Sequence, residues 1–360
     1  MIFATLPVRD AVGCLSVHSV KVPGIVLKKG AAIGEAEARA LEEAGIAEIV
    51  AVRLEPGDVG EDAAAAGLAR AAAGEGLRCE APFTGRVNLF ATRAGVLLAD
   101  AAAVDRINAV DEAITIATLP AWKPVVEGEM VATVKIIPYA VEDARLSLAA
   151  AAAGEGALTV APYTRARVGV VSTLLPSLKP TIVDKTLRVL ETRLAPAGAR
   201  IVSETRTPHA VPELAEALRA LAAGDAELIV VFGASAIADR RDVIPAAIEA
   251  AGGRVDHFGM PVDPGNLLLV GEIAGRPVIG APGCARSPKE NGFDWVLQRL
   301  LAGLPVTRAD IMGLGVGGLL MEIVSRPQPR GGEPSAGPEA ADDEPGGDEP
   351  GEDEPGEDAP

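Results

Sequence analysis

AELIVVFG, residues Ala226–Gly233, is the stretch whose reading decides the fold. Leu228 to Phe232 are five apolar residues in a row, three of them β-branched, with no polar position left to face water. A run this short and this apolar is expected of a strand covered on both faces of a parallel sheet. Downstream, DVIPAAIEAAGG (Asp242–Gly253) reads as a helix closed by glycines and RVDHFG as another strand. LLLVGEI and RPVIGAPG form a hairpin-like pair, and SPKENGFDWVLQRLLAG (Ser287–Gly303) is the last helix. Upstream, VPELAEALRALAA (Val211–Ala223) has helical spacing with Pro212 in its first turn. ARIVSETR is a strand preceded by the helix VDKTLRVLETRLA (Val183–Ala195), which Pro196 and Gly198 end, and RVGVVST (Arg167–Thr173) is the first strand. Strands alternating with helices predict an α/β fold: a three-layer αβα domain over residues 165–325 with a mainly parallel sheet.

The first 155 residues read differently, as a smaller, mixed and strand-rich domain. LKKGAAIGEAEARALEEAGIAEIVAVRL gives turn, helix and strand, while FTGRVNLFA, AITIATLP and EGEMVATVKIIPYAV alternate in the manner of strands. The Ala/Gly-rich segment Ala149–Gly156 is the expected boundary, and DARLSLAAAAAGEG also fits a helix ending at glycine. IMGLGVGGLLMEI (Ile311–Ile323) is glycine-rich without the Gly-Lys-Ser/Thr of a phosphate loop, and is expected to fold back on the body. Residues 327–360 hold Pro, Gly, Asp and Glu with almost nothing apolar, the composition of a disordered acidic tail.

Charge narrows the functional classes. The net charge is −17, but 12 acidic residues and no Lys or Arg lie between Gly331 and Pro360, which leaves −5 for the remainder. Such a body has no basic excess for nucleic acid. No apolar run approaches the ~20 residues that span a bilayer, and the N-terminus lacks the pattern of a signal peptide. Three well-separated cysteines fit neither a disulfide framework nor a zinc site, so the expected location is the cytoplasm.

In an open α/β sheet, ligands bind beyond the carboxyl ends of the strands, where loops lead into helix N-termini that favour phosphate. Three such loops stand out: Ser172-Thr173-Leu174-Leu175; Gly233-Ala234-Ser235, running on to Asp239 and Asp242; and Ala281-Pro282-Gly283-Cys284-Ala285-Arg286-Ser287-Pro288. The third is expected to place Gly283, Arg286, Ser287 and Lys289 before or within the first turn of the last helix, as an anion site. Asp239 and Asp242 could hold Mg²⁺ between ligand phosphates; they could equally cap a helix or pair with Arg240 and Arg241. His209 and His257 are isolated in sequence and read as structural.

Taken together and in order, these loops resemble the molybdopterin-binding domain shared by molybdopterin adenylyltransferases and molybdopterin molybdotransferases. The family's T-G-D-E motif corresponds to Ser172-Thr173-Leu174-Leu175 and its I-x-D-S-N segment to Ile182-Val183-Asp184-Lys185-Thr186. Its glycine loop and following acid correspond to Phe232-Gly233-Ala234-Ser235 and Asp242, and its L-P-G-N-P loop to Ala281-Pro282-Gly283-Cys284-Ala285. Met260–Gly283 resembles the stretch leading to that last loop, and Leu27–Val52 resembles the segment that precedes this domain in molybdotransferases. The likeness covers most of the chain to about Ile323. Leu174 and Leu175 replace a Gly-Asp pair, Phe232 replaces a glycine and Cys284 an asparagine, so an acid tied to catalysis or metal is missing. The resemblance implies a molybdenum-cofactor biosynthesis protein that binds molybdopterin or its adenylated form, a pterin phosphate small molecule, and inserts molybdate with the help of Mg²⁺. It leans towards a transferase. The rival is a non-catalytic carrier serving a cofactor nucleotidyltransferase, with a homo-oligomer open in either case. The implied ligand set is Thr173, Asp184, Gly233, Ala234, Ser235, Pro282, Gly283, Arg286, Ser287 and Lys289, with Asp239 and Asp242 as the catalytic, metal-holding pair. A hydrolase or dehydrogenase is disfavoured, because G-x-S-x-G after a strand and G-x-G-x-x-G opening a helix are both missing.

Overall fold

In the computed structural model, which describes residues 1–154, 156–176 and 179–320, the Leu228–Phe232 run is an interior strand of a six-stranded sheet. In chain order the elements of this half are β1 (Arg167–Leu174), α1 (Pro180–Leu194), β2 (Arg200–Pro208), α2 (Val211–Ala223) and β3 (Leu228–Phe232). They continue with α3 (Val243–Ala250), β4 (Arg254–Phe258), β5 (Leu269–Ile273), β6 (Arg276–Ala281), α4 (Gly292–Leu301) and the short α5 (Arg308–Met312). The sheet order is β2-β1-β3-β6-β5-β4. β1 pairs in parallel with β2 and β3, and β3 with β6; β5 runs antiparallel to both of its neighbours. The β5–β6 hairpin turns through Ala274 and Gly275, both at positive φ.

The period of two in β3 explains the layers. Leu228, Val230 and Phe232 join one core with Leu190 and Leu194 of α1 and Phe293, Val296 and Leu297 of α4. Ile229 and Val231 join another with Leu214 and Leu218 of α2 and Ile244 and Ile248 of α3. Each of these side chains is fully or almost fully buried, and each contributes on the order of 1.5–3 kcal/mol relative to exposure. The expected αβα arrangement is therefore built.

Two details correct the sequence reading. The last helix begins at Gly292 behind Asn291 as N-cap, so Ser287 and Lys289 lie outside its first turn, and Gly283–Arg286 forms a separate 3-10 turn. Helix α1 begins at Pro180, ahead of the expected Val183.

The first 162 residues carry the small sheets and helices expected of a mixed region. A four-stranded sheet holds Ile114–Thr118, Met130–Ile136, Arg86–Ala91 and Leu77–Cys79 in that order, all antiparallel. The helices Glu61–Ala72, Ala101–Asn108 and Asp143–Ala152 share its core. The segment between the two expected domains contains a strand, Leu158–Pro162, that pairs with Gly95–Ala99 and buries Leu158 and Val160 in that core. Ile311 is buried against the α4 face, and the chain after it returns to the body where Asp263 donates its N–H to Gly318 and accepts from Leu320. No helix among the described residues is long and apolar enough to cross a membrane. The expected acidic tail, 327–360, lies outside the described residues.

Candidate functional site

The parallel register aligns the carboxyl ends of β1, β2 and β3. Thr173 stands opposite Thr207, and Ser172 opposite Phe232. His209, just beyond β2, is thereby brought beside Thr173, and its Nδ1 lies 2.8 Å from Thr173 Oγ1. That hydroxyl also accepts the backbone N–H of Ala234 at 2.8 Å, which ties the loop after β3 to the end of β1. On the other side of the ring, His209 Nε2 lies 3.1 Å from Ser235 Oγ. Thr173 is buried, His209 half-buried and Ser235 exposed, so a hydrogen-bonded chain runs from the sheet to the surface. The two tautomers reverse the direction in which its protons point.

Glycine is required at the turn itself. A Cβ on Gly233 would come within 2.6 Å of Ser235 O and 2.8 Å of Ile244 Cδ1. The Ile244 methyl, at the end of a side chain, can shift; the Ser235 carbonyl is backbone and cannot do so without moving the turn. One residue before Thr173, Ser172 is 2% exposed and its Oγ finds no partner among the described residues.

Arg286 closes the site from the loop after β6. Its Nη2 donates to Gly233 O at 2.6 Å, its Nη1 to Thr186 Oγ1 at 3.1 Å, and its guanidinium lies 5.7 Å from the centroid of the Phe232 ring. Burial of the guanidinium lowers its pKa from the usual value. The aromatic at position 232, where the resembling family has glycine, thus serves as the platform for the arginine. Arg286 braces three segments and keeps only part of its donor capacity for a ligand.

The loop carrying Arg286 is fixed by residues that sequence reasoning passed over. Arg193, on α1, donates to the carbonyls of Ala285, Ser287 and Lys289 and forms a buried ion pair with Asp294. Asn291 is 1% exposed; its side chain accepts from Phe293 N and donates to the carbonyls of Cys284 and Lys289. Burial raises the Cys284 thiol pKa, which keeps that residue a neutral loop member.

The remaining candidates are placed apart from this cluster or are already engaged. Asp242 caps α3, accepting from Val243 N and Ala238 N, one bond to each carboxylate oxygen. Asp239 gives both oxygens to Arg241, whose side chain and backbone together hold its pKa down to about 2. The pairing reading of these two acids is what the geometry displays. Among the described residues no group of three His, Cys, Asp or Glu gathers to hold a metal. Asp184 pairs with Arg206 at 2.7 Å, and Arg206 also holds Glu204. Pro282 is buried, while Gly283 and Lys289 are exposed. Sequence reasoning missed Thr186, Arg193, His209 and Asn291 as members of the site. The available signal for His209 was its place immediately after a strand adjacent and parallel to β1.

Residues 169–303 match the family model described as "Probable molybdopterin binding domain". The α/β domain, rather than the chain as a whole, is thereby placed among molybdopterin-binding domains, as the three loops led us to expect. A solved structure described as the molybdopterin biosynthesis moea protein from Pyrococcus horikosii aligns with 84% of this chain and 75% of its own length, at 13% identity and a TM-score of 0.30. So distant a superposition carries no argument about this molecule. No curated protein matches the chain.

Proposed function

We propose that the protein binds molybdopterin or its adenylated form at the carboxyl ends of β1 and β3, as a member of the molybdenum-cofactor biosynthesis machinery. The observation that carries this reading is the closure of Thr173, His209, Ala234 and Ser235 into one hydrogen-bonded group beside Arg286, inside the segment that matches the family. Small residues there let a ligand approach the backbone, and the exposed Ser235 hydroxyl and the remaining Arg286 donors suit phosphate oxygens. Lys289 and Ser287, on the same loop, supply further cationic and polar contacts. Asp184, paired with Arg206, is a further candidate contact.

For catalysis, the reading offers positioning rather than proton or metal chemistry. The His209 ring, between Thr173 and Ser235, holds the loop after β3 in place. Asp239 and Asp242 both have their oxygens engaged, so the pair as it stands does not fit Mg²⁺. That engagement, with Leu174 and Leu175 following Thr173, favours the second reading: a carrier that holds the pterin for a cofactor nucleotidyltransferase. Molybdate insertion remains the alternative outcome of the same binding site.

Mass spectrometry of the protein purified from a molybdenum-cofactor-producing host tests the reading. A bound pterin phosphate or its AMP adduct is expected, and its yield should fall about tenfold in Arg286→Ala with the circular dichroism unchanged. Absence of any pterin, from wild type and variant alike, would remove the assignment.

A further inference from the structure

The chain has two tryptophans, and both line one cleft of about 400 Å³. Its walls are the turn at 120–124, the outer side of α4 and the 313–317 segment. None of Thr173, His209, Ser235 and Arg286 borders it. Trp122 sits in that turn at a φ of 68°, with its backbone N–H donated to Leu97 O at 2.7 Å, so its main chain is fixed by the turn. Trp295 Nε1–H is held by Glu290 Oε1 at 2.9 Å, which uses that carboxylate at the edge of the cleft.

Arg299 lines the same cleft. It is 5% exposed, its guanidinium lies 4.4 Å from the Trp122 ring centroid, and its Nε is buried with no hydrogen-bond partner. The described residues give the guanidinium no hydrogen bond and no ion pair. Asp310 is close enough to favour the charge, but its carboxylate is committed to the N–H and hydroxyl of Thr307 at 2.7 and 2.6 Å. Arginine cannot shed its proton to escape burial. A cation largely withdrawn from water and without a protein acceptor is costly, and the cost is relieved by an anion that accepts from its fork.

We propose that this cleft is a second ligand site, for a small planar aromatic anion. The ring would lie against the indoles, and the carboxylate or phosphate would accept from the Arg299 guanidinium. Size and lining agree: ligand pockets of ~300–1,000 Å³ are mostly apolar with a few placed polar groups. A cationic ligand meets Arg299 as a like charge, and a neutral one leaves the fork unpaired.

Because the chain's only tryptophans both border the cleft, their fluorescence reports on it selectively. The full-length protein is titrated with 4-nitrobenzoate, 4-nitrophenyl phosphate and the neutral 4-nitrobenzyl alcohol, each a quencher of indole emission. Saturable quenching is expected for at least one anion, with the neutral probe at least tenfold weaker; which anion saturates tells carboxylate from phosphate. Arg299→Met should weaken the anion about tenfold or more, and Arg299→Lys should retain part of it. Arg286→Ala, a change outside the cleft, should leave the titration as in wild type. Should Arg299→Met fail to fold, the Lys variant and the neutral probe decide the matter in its place. Quenching that is linear, equal for charged and neutral probes, or indifferent to position 299 overturns the proposal.

Discussion

Two buried arginines flank the same face of the sheet and have opposite surroundings. Arg193, on α1, meets a carboxylate and three backbone carbonyls in the loop that leads into α4. Arg299, in the last turn of α4, meets an indole face and has no acceptor among the described residues. The contrast separates two uses of the same side chain. A guanidinium whose fork is filled by its own chain fixes a loop, whereas one whose fork is empty is available to something else.

The comparison breaks most readily at Arg193. Removing it strands Asp294 in a half-buried position and frees three carbonyls, and losing one partner of a buried pair costs about 3–5 kcal/mol. Arg193→Ala should lower the urea midpoint accordingly with little change in m-value. A loss below ~1 kcal/mol would show that the loop is held by Asn291 alone.

Asn291 comes next. It caps α4 and also donates to two loop carbonyls, so Asn291→Ala should cost about 1–2 kcal/mol, the range of a lost N-cap. Since both residues serve one loop, the double variant Arg193→Ala/Asn291→Ala should be less destabilised than the sum of the singles. Strict additivity would mean that each holds a different structure.

These two residues also show where sequence stops being informative. The strands and helices of the α/β half were legible because periodicity is local: Val211–Ala223 shows its helix in thirteen residues, and Leu228–Phe232 its burial in five. The loops at the strand ends were legible as places, through their glycines and their resemblance to a family. What filled them was not. Thr173 and His209 are 36 residues apart, and Arg193 and Ser287 are 94 apart; only the sheet register and the packing of α1 bring them together. Composition also misled locally. The Ala-rich helices Glu61–Ala72 and Ala101–Asn108 carry too few large apolar residues to display a clear face, so the reading of this mixed, strand-rich region passed over both. The expected start of α4 at Ser287 lies too early, because Asn291 with Asp294 forms the capping box.

A smaller effect sharpens the contrast from another side. His257 is half-buried, with a buried Nδ1 that has no partner among the described residues, but a histidine can discharge what an arginine cannot. Burial first, then Arg308 and Arg240, lower its pKa below the ordinary 6.5. The unfolded chain therefore takes up this proton first as pH falls. The stability contributed by the neutral ring is present above pH ~6.5 and is lost below it, until the folded ring also titrates. His257→Gln should flatten that part of the wild-type stability profile between pH 7 and 5. An unchanged slope would mean that the ring is solvated in both states.

The smallest expected change is at Arg299 in the absence of any ligand, and it is the one on which the comparison turns. Arg299→Met keeps the length and apolar stem of the side chain while removing the desolvated charge, the exchange that often leaves a protein equally stable or more so. Against that gain stands the loss of the contact with Trp122, worth ~0.5–1 kcal/mol for a cation on an exposed ring and more on a dry one. The two terms oppose each other and are of similar size, so denaturant unfolding should place the variant within about 1 kcal/mol of wild type. Arg193→Met, the same substitution on α1, should cost several times as much, because there the removed fork leaves acceptors behind. If both methionine variants were equally destabilised, Arg299 would be a structural arginine like Arg193, with an acceptor that the described contacts do not contain.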